Sequence, residues 1–287
     1  MKRLSMHWLF CYLFAATVLC AQPRRIVSTA PSITETLFAL GVGDRVVGVT
    51  NYCHYPAAAA KIAKIGTYMQ PNLEVILALK PDLIITQKTA IHSKSRFEPY
   101  HLNVVEVTQN SIAEIQTAIL SIGAATGSAD RARALNESIT KELAAVRQRA
   151  LTKPAVSVVF VVGRTPGALD GMVAVGSHNY LTEVIELAGG RNIFDDAKPS
   201  YAKISAEEIL ARSPRVILDM GDMSDPTGVT EEHKRAVVKL WDRYPNVAAV
   251  RDHRVHAIAS DIFVVPGPRV IELARALAQL LHPEIFP

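Results

Sequence analysis

Short apolar runs alternate with segments of helical periodicity along most of this chain. Arg25 to Ser28, Val46 to Thr50, Leu83 to Thr86 and Val104 to Val107 have the length and composition of buried strands. Between them, Ser32-Ile33-Thr34-Glu35 reads as a capping box that opens a helix through Leu40, with Gly41 as its stop. Leu73 to Leu79 reads as a second helix, halted before Pro81 because the residue ahead of a proline avoids the helical region. Continuous apolar strands separated by helices predict an α/β fold, with parallel sheets carrying helices on their faces.

The rhythm changes at Ser111. Ser111 to Thr126 is an amphipathic helix ended by Gly127, and Ser128 to Leu151 then runs without a proline or glycine. At 1.5 Å per residue that second stretch is one helix roughly 36 Å long. Strand–helix alternation resumes after it, with strands at Val156 to Val162, Val216 to Asp219 and Val255 to Ile258. Helices are expected at Asn179 to Ala188, closed by Gly189-Gly190, and at Pro268 to Leu281. The organisation that follows is a lobe over 22–127, a long connecting helix over 128–152 and a second lobe over 153–287.

An internal repeat supports two similar lobes. Glu74-Val-Ile-Leu-Ala-Leu-Lys-Pro-Asp-Leu-Ile-Ile85 returns as Glu207-Glu-Ile-Leu-Ala-Arg-Ser-Pro-Arg-Val-Ile-Leu218, at a constant offset of 133 residues. The same offset relates Tyr68 to Tyr201. Packing alone requires neither the matched glutamates nor the matched tyrosines. Two lobes on one rigid connector leave a cleft between them, and in open α/β sheets ligands bind beyond the carboxyl ends of the strands. The loops expected there are aromatic: Asn51-Tyr52-Cys53-His54-Tyr55-Pro56, Thr67-Tyr68-Met69-Gln70, Pro199-Ser200-Tyr201 and Asp261-Ile262-Phe263. Tyrosine offers flat apolar area with a hydroxyl at its tip, which suits a large planar ligand with polar edges.

The amino terminus sets the compartment. Lys2 and Arg3 precede an uncharged run from Trp8 to Cys20, and Leu19-Cys20-Ala21 ends on a small residue. This is the pattern of a secretory signal over residues 1–21, with cleavage after Ala21 favoured and a periplasmic location expected; a retained N-terminal anchor, or lipidation at Cys20 despite the poor lipobox Thr17-Val18-Leu19, is the alternative. The apolar run is short for a membrane span, which takes about 20 residues. Losing Lys2 and Arg3 lowers the formal net charge from +4 to +2, too near neutral to argue for nucleic acid. Cys11 and Cys20 fall in the signal, so Cys53 is left without a partner for an internal disulfide.

No Gly-x-Ser-x-Gly elbow, His-Glu-x-x-His helix or P-loop occurs, which argues against the common hydrolase and nucleotide chemistries. Gly41-Val42-Gly43 follows a helix and so is not a dinucleotide fingerprint. His253-Arg-Val-His256 has metal-like spacing, but beside a strand its two ends point to opposite faces. An enzyme using the interlobe cleft is the competing class, and the reading favours a binding protein with no catalytic residues and no cofactor of its own.

In order and spacing, several segments together resemble the helical-backbone class of ABC-transporter substrate-binding proteins for iron complexes and cobalamin. They are Ser32-Ile-Thr-Glu35, Val47 to Pro56, Asn72-Leu-Glu74, Leu79-Lys-Pro-Asp-Leu83, Gly189-Gly-Arg-Asn-Ile-Phe194 and Pro266-Gly-Pro-Arg269. Within that class the chain is most similar to the cobalamin-binding members. The resemblance implies two Rossmann-like lobes that close little around the ligand. It implies that Glu74 and Glu207 dock on arginines of the membrane permease subunits of an ABC importer. It further implies that Tyr52, Tyr68, Tyr201 and Asp261, with Phe263 beside them, line a cobalamin site in a monomeric protein. The chain departs from the cobalamin pattern with tyrosine for tryptophan at 68 and 201, His54 where aspartate is common, and Val265 in place of a polar contact. Haem or a ferric siderophore is the alternative ligand, since haem binders of the class use a tyrosine or histidine on iron. His54, Tyr52 and Tyr201 are the matching candidates, His54 being the weak metal-ligand alternative.

Overall fold

A computed structural model describes residues 22–89, 94–221, 230–258 and 260–286. The signal expected over 1–21 lies outside the described residues. In the first lobe the chain forms β1 (Ile26–Ser28), α1 (Pro31–Ala39), β2 (Val46–Val49), β3 (Ala63–Lys64), α2 (Leu73–Ala78), β4 (Leu83–Gln87), β5 (Val104–Val107) and α3 (Ile112–Thr126). The strands pair in the order β3-β2-β1-β4-β5, all parallel. The apolar runs at β1 and β4 are buried on both faces, as a covered parallel sheet requires.

The capping box expected at Ser32 does not form. Pro31 occupies the first helical position, where its fixed φ and missing N–H suit a helix start, and Ala30 is the N-cap without a side-chain bond. Helix α1 therefore begins a turn position earlier than expected, and Ser32 and Glu35 are buried inside it. Both are used at the lobe boundary, as described below.

Helix α3 ends at Gly127, whose φ of +71° is left-handed, and α4 (Ala129–Ala150) follows directly. The two helices approach closely: a Cβ at Gly123 would collide with Ala132. α4 packs on α3 along one side and on helices of the second lobe along the other.

The second lobe comprises β6 (Val156–Gly163), β7 (Val173–Val175), α5 (Tyr180–Leu187), β8 (Gly190–Asn192), β9 (Tyr201–Lys203), α6 (Ala206–Arg212), β10 (Val216–Asp219), α7 (Glu231–Leu240), α8 (Ala248–Arg251), β11 (Val255–Ala257) and α9 (Val270–Leu281). Its sheet runs β11-β10-β6-β7-β9, with β8 pairing β6. Here the expectation of a parallel sheet holds only in part, because β7 is antiparallel to both β6 and β9. The link from β6 to β7 is too short for a crossover helix, and a strand returned by a short link must lie antiparallel.

The core has three layers. One buried cluster joins Val27, Ile65, Ile76 and Ile84 on the outer face of the first sheet. Another joins Val159, Ile209, Ile217 and Trp241 on the outer face of the second. Between them a single continuous cluster runs from Ile26 and Ile33 through Ile119, Ile139 and Leu143 to Val158, Val184 and Leu277. It passes through α3, α4, α5 and α9, so the inner faces of both lobes share one apolar core.

Candidate ligand-binding cleft

A cavity of about 560 Å³ opens between the lobes at the carboxyl ends of their strands. The first lobe contributes Ser32 from the start of α1, Tyr52 and His54 from the loop after β2, Tyr68, and Gln87 with Lys88 from the end of β4. From the second come His178, Asn179 and Tyr180 at the start of α5, Tyr201 from β9, and Asp261 with Val265 from the last loop. Tyr52, Tyr68, Tyr201, Asp261 and His54 are thus brought together, as expected from their loops. Phe263 is not among the lining residues: it is buried, with its ring edge-on to Phe160 at 6.2 Å.

The tyrosines differ in setting. Tyr52 and Tyr201 are about half exposed and present their rings to the cleft. Tyr68 is partly buried, and its hydroxyl donates to Gln87 Oε1 at 2.6 Å. Burial, and Tyr201 nearby, hold the Tyr68 phenol above its ordinary ionisation range. Tyr180, the first residue of α5, is buried in the cleft wall, and its hydroxyl has no hydrogen-bond partner among the described residues. Burial pushes its phenol well up, with Tyr201 and Glu35 adding to the effect.

A polar network floors the first-lobe side. Gln109 follows β5 and is almost fully buried. Its Nε2 donates to the Pro266 carbonyl at 2.7 Å, while its Oε1 accepts from Ser32 Oγ at 2.7 Å and from Gln87 Nε2 at 2.6 Å. The bond from Gln109 to Pro266 crosses the lobe boundary.

A charged cluster crosses it as well. Arg269, ahead of α9, grips Glu35 of α1 with two bonds, Nε to Oε2 at 3.0 Å and Nη2 to Oε1. The same guanidinium donates to Asp261 Oδ1 at 3.1 Å and Oδ2 at 2.9 Å, and lies 4.1 Å from the centre of the Tyr55 ring. Asp261 therefore lines the cleft with its carboxylate already engaged. Burial lifts the Glu35 carboxyl above the carboxylate range against the pull of Arg269. Burial also opposes the Arg269 charge, but its bonds to Glu35 and Asp261 overcome that and raise the guanidinium above its ordinary value.

Sequence reasoning missed Gln87, Gln109, His178, Tyr180 and the Glu35–Arg269 pair. Only the pair had a signal, since both residues sit in the segments Ser32–Glu35 and Pro266–Arg269 that carry the family resemblance. Among the described residues no group of three or more His, Cys, Asp or Glu could hold a metal ion, and His253 and His256 belong to none.

A family model described as "Periplasmic binding protein" matches residues 26–262. A vitamin B12-binding protein of Vibrio vulnificus is 30% identical over 209 residues, covering 71% of this chain and 74% of the relative. The crystal structure of a periplasmic vitamin B12-binding protein of Vibrio cholerae superposes with a TM-score of 0.76 at 24% identity, covering 91% of this chain and 98% of that one. A periplasmic heme-binding protein of Roseiflexus superposes with a TM-score of 0.74 at 25% identity, covering 90% and 99%.

Proposed function

We propose that this chain, which belongs to the periplasmic binding protein family, captures a corrinoid between its lobes and delivers it to the permease of an ABC importer. The observation that carries this reading is the lining of the cleft. Tyr52 and Tyr68 from one lobe face Tyr201 from the other, across a floor of carboxamides from Gln87, Gln109, Asn110 and Asn179. Flat aromatic surface over a polar floor suits a macrocycle with polar edges. Relatives named as vitamin B12-binding support the same assignment.

Export by a signal over residues 1–21, cleaved near Ala21, belongs to the same proposal, as does a monomeric mature protein. Docking is assigned to Glu74 and Glu207, exposed in the first turns of α2 and α6. The test is calorimetry on the chain from Gln22 onward, titrated with cyanocobalamin, ferric haem and a ferric siderophore. A one-to-one complex with the corrinoid, tighter than with either iron compound, is the expected result. A clear preference for haem would reject it in favour of the function named for the Roseiflexus neighbour.

A further inference from the structure

Resting on the corrinoid reading, we infer that Ser32, Gln87 and Gln109 form a directional hydrogen-bond relay that fixes Tyr68 as a neutral phenol, turning its oxygen to the ligand as an acceptor and away from iron coordination.

The direction follows from what each group can do. The Pro266 carbonyl only accepts, so the Gln109 atom 2.7 Å from it is the amide nitrogen. That leaves Gln109 Oε1 facing Ser32 Oγ and Gln87, and an amide oxygen accepts from both. Gln87 must then present its nitrogen to Gln109, at 2.6 Å, and the same nitrogen reaches Ser32 Oγ at 3.2 Å. Its oxygen is left toward Tyr68, 2.6 Å away. Two amides whose orientation is ordinarily ambiguous are fixed by one backbone carbonyl from the other lobe. The last link needs a donor, and only the Tyr68 hydroxyl can supply it. Its single proton is committed inward, and its oxygen meets a ligand solely as an acceptor.

Two consequences bear on the ligand. A rim N–H, such as a primary amide carries, finds an acceptor at Tyr68. Ferric iron instead asks for phenolate, and ionising Tyr68 would set its oxygen against Gln87 Oε1, two acceptors at 2.6 Å with no proton between them. The charge lining agrees. Among the described residues, Lys88 is the one lysine or arginine on the cleft wall, a poor match for a porphyrin bearing two carboxylates.

Gln87 and Gln109 act through Tyr68 as positioning residues, and the test reads its proton. Near-ultraviolet titration of the ligand-free protein is compared with Tyr68→Phe, so that the difference isolates Tyr68. Its ionisation is expected above the ordinary value of 10.0. In Gln87→Lys a donor replaces the acceptor, and the ionisation should fall by about one unit or more. Tyr68→Phe keeps the ring and should weaken cyanocobalamin about fivefold to tenfold. With ferric haem, Tyr68 should contribute no tyrosinate-to-iron charge-transfer band, so the visible spectrum of the haem complex should be the same in the wild type and in Tyr68→Phe. Ionisation of Tyr68 at or below the ordinary value, or such a band that Tyr68→Phe abolishes, overturns the inference. If Gln87→Lys does not fold, the wild-type and Tyr68→Phe titrations still decide. A high Tyr68 ionisation with no cyanocobalamin binding upholds the relay and defeats the ligand reading instead.

Discussion

At the scale of single residues, most buried polar groups among the described residues are satisfied, and of the three side-chain atoms left without a partner, on Asn136, Tyr180 and His256, the Tyr180 hydroxyl is the informative one. Asp219, fully buried, accepts from Arg164 Nε at 3.0 Å, Trp241 Nε1 at 2.9 Å and the Gly221 amide at 2.7 Å. Tyr180 has no such company. A buried hydroxyl left without a partner costs about 1–3 kcal/mol of desolvation, and deleting it keeps the ring and its packing. Tyr180→Phe is therefore expected to melt no lower than the wild type, and up to about 1 kcal/mol more stable, or about 2–4 °C in a chain of this size. A fall of several degrees would mean that the hydroxyl holds a bond in solution. Residue-scale roles were also the least legible in the sequence. Glu35 has the spacing of a cap and Phe263 sits in an aromatic loop, yet one closes an ion pair 234 residues away and the other packs on Phe160. Neither partner can be read locally.

The repeat belongs to the scale of elements, and there the sequence was most legible. The offset of 133 residues carries the start of α2 at Leu73 onto the start of α6 at Ala206, and the start of β4 at Leu83 onto that of β10 at Val216. Even the joint is copied: Lys80 and Ser213, at equivalent positions, are both left-handed, with φ of 47° and 40°. Helix–proline–strand units have strong local signals, so they can be found without tertiary information. The flanking segments cannot. Tyr68 lies in a loop and Tyr201 in an antiparallel strand, because β7 and β9 are three-residue strands whose pairing depends on β6. Within the repeat, capping and docking are separable. Asn72 and Ser205 cap the two helices, and the capping box uses Glu208, which leaves Glu207 and Glu74 without a hydrogen bond or ion pair among the described residues. Two equivalent exposed acids on two lobes suit a partner built from two like halves, and carboxylate–arginine contacts are often bidentate. A Glu74→Ala, Glu207→Ala double variant should keep its melting temperature to within about 0.5 kcal/mol per site. It should also keep its affinity for ligand, yet lose most uptake in vesicles carrying the cognate permease. Uptake at the wild-type rate would defeat the docking role, and a large loss of stability would assign both acids to the helix termini.

Across the whole molecule, two features hold the lobes at one spacing. The first is the shared apolar core through α3, α4, α5 and α9, which a hinge motion would have to tear. The second is Arg269, which ties Glu35 of the first lobe to Asp261 of the second and covers the Tyr55 ring. Both join the two lobes that form the cleft. The ion cluster is nearly buried, and a buried pair is weak evidence of net stabilisation, because desolvation offsets much of the attraction. Its removal one side at a time is another matter. Arg269→Met would strand the Glu35 carboxyl in the interior and leave Asp261 unengaged, a loss of about 3–5 kcal/mol in denaturant unfolding. Glu35 can answer by taking up a proton, which its burial already favours, so the loss should shrink as the pH is lowered. Glu35→Gln alone should cost less, since an amide oxygen still accepts from the guanidinium and Asp261 still holds it. The double variant Glu35→Gln, Arg269→Met removes the stranded charge and should recover part of the single-variant loss, giving a coupling energy of about 1–3 kcal/mol in a double-mutant cycle. If the clamp also sets cleft width, the double variant will bind cyanocobalamin more weakly than its recovered stability alone would suggest. Additive single losses would show that the two side chains do not act as a unit. Full recovery of stability together with wild-type affinity would leave the apolar core as the sole determinant of lobe spacing.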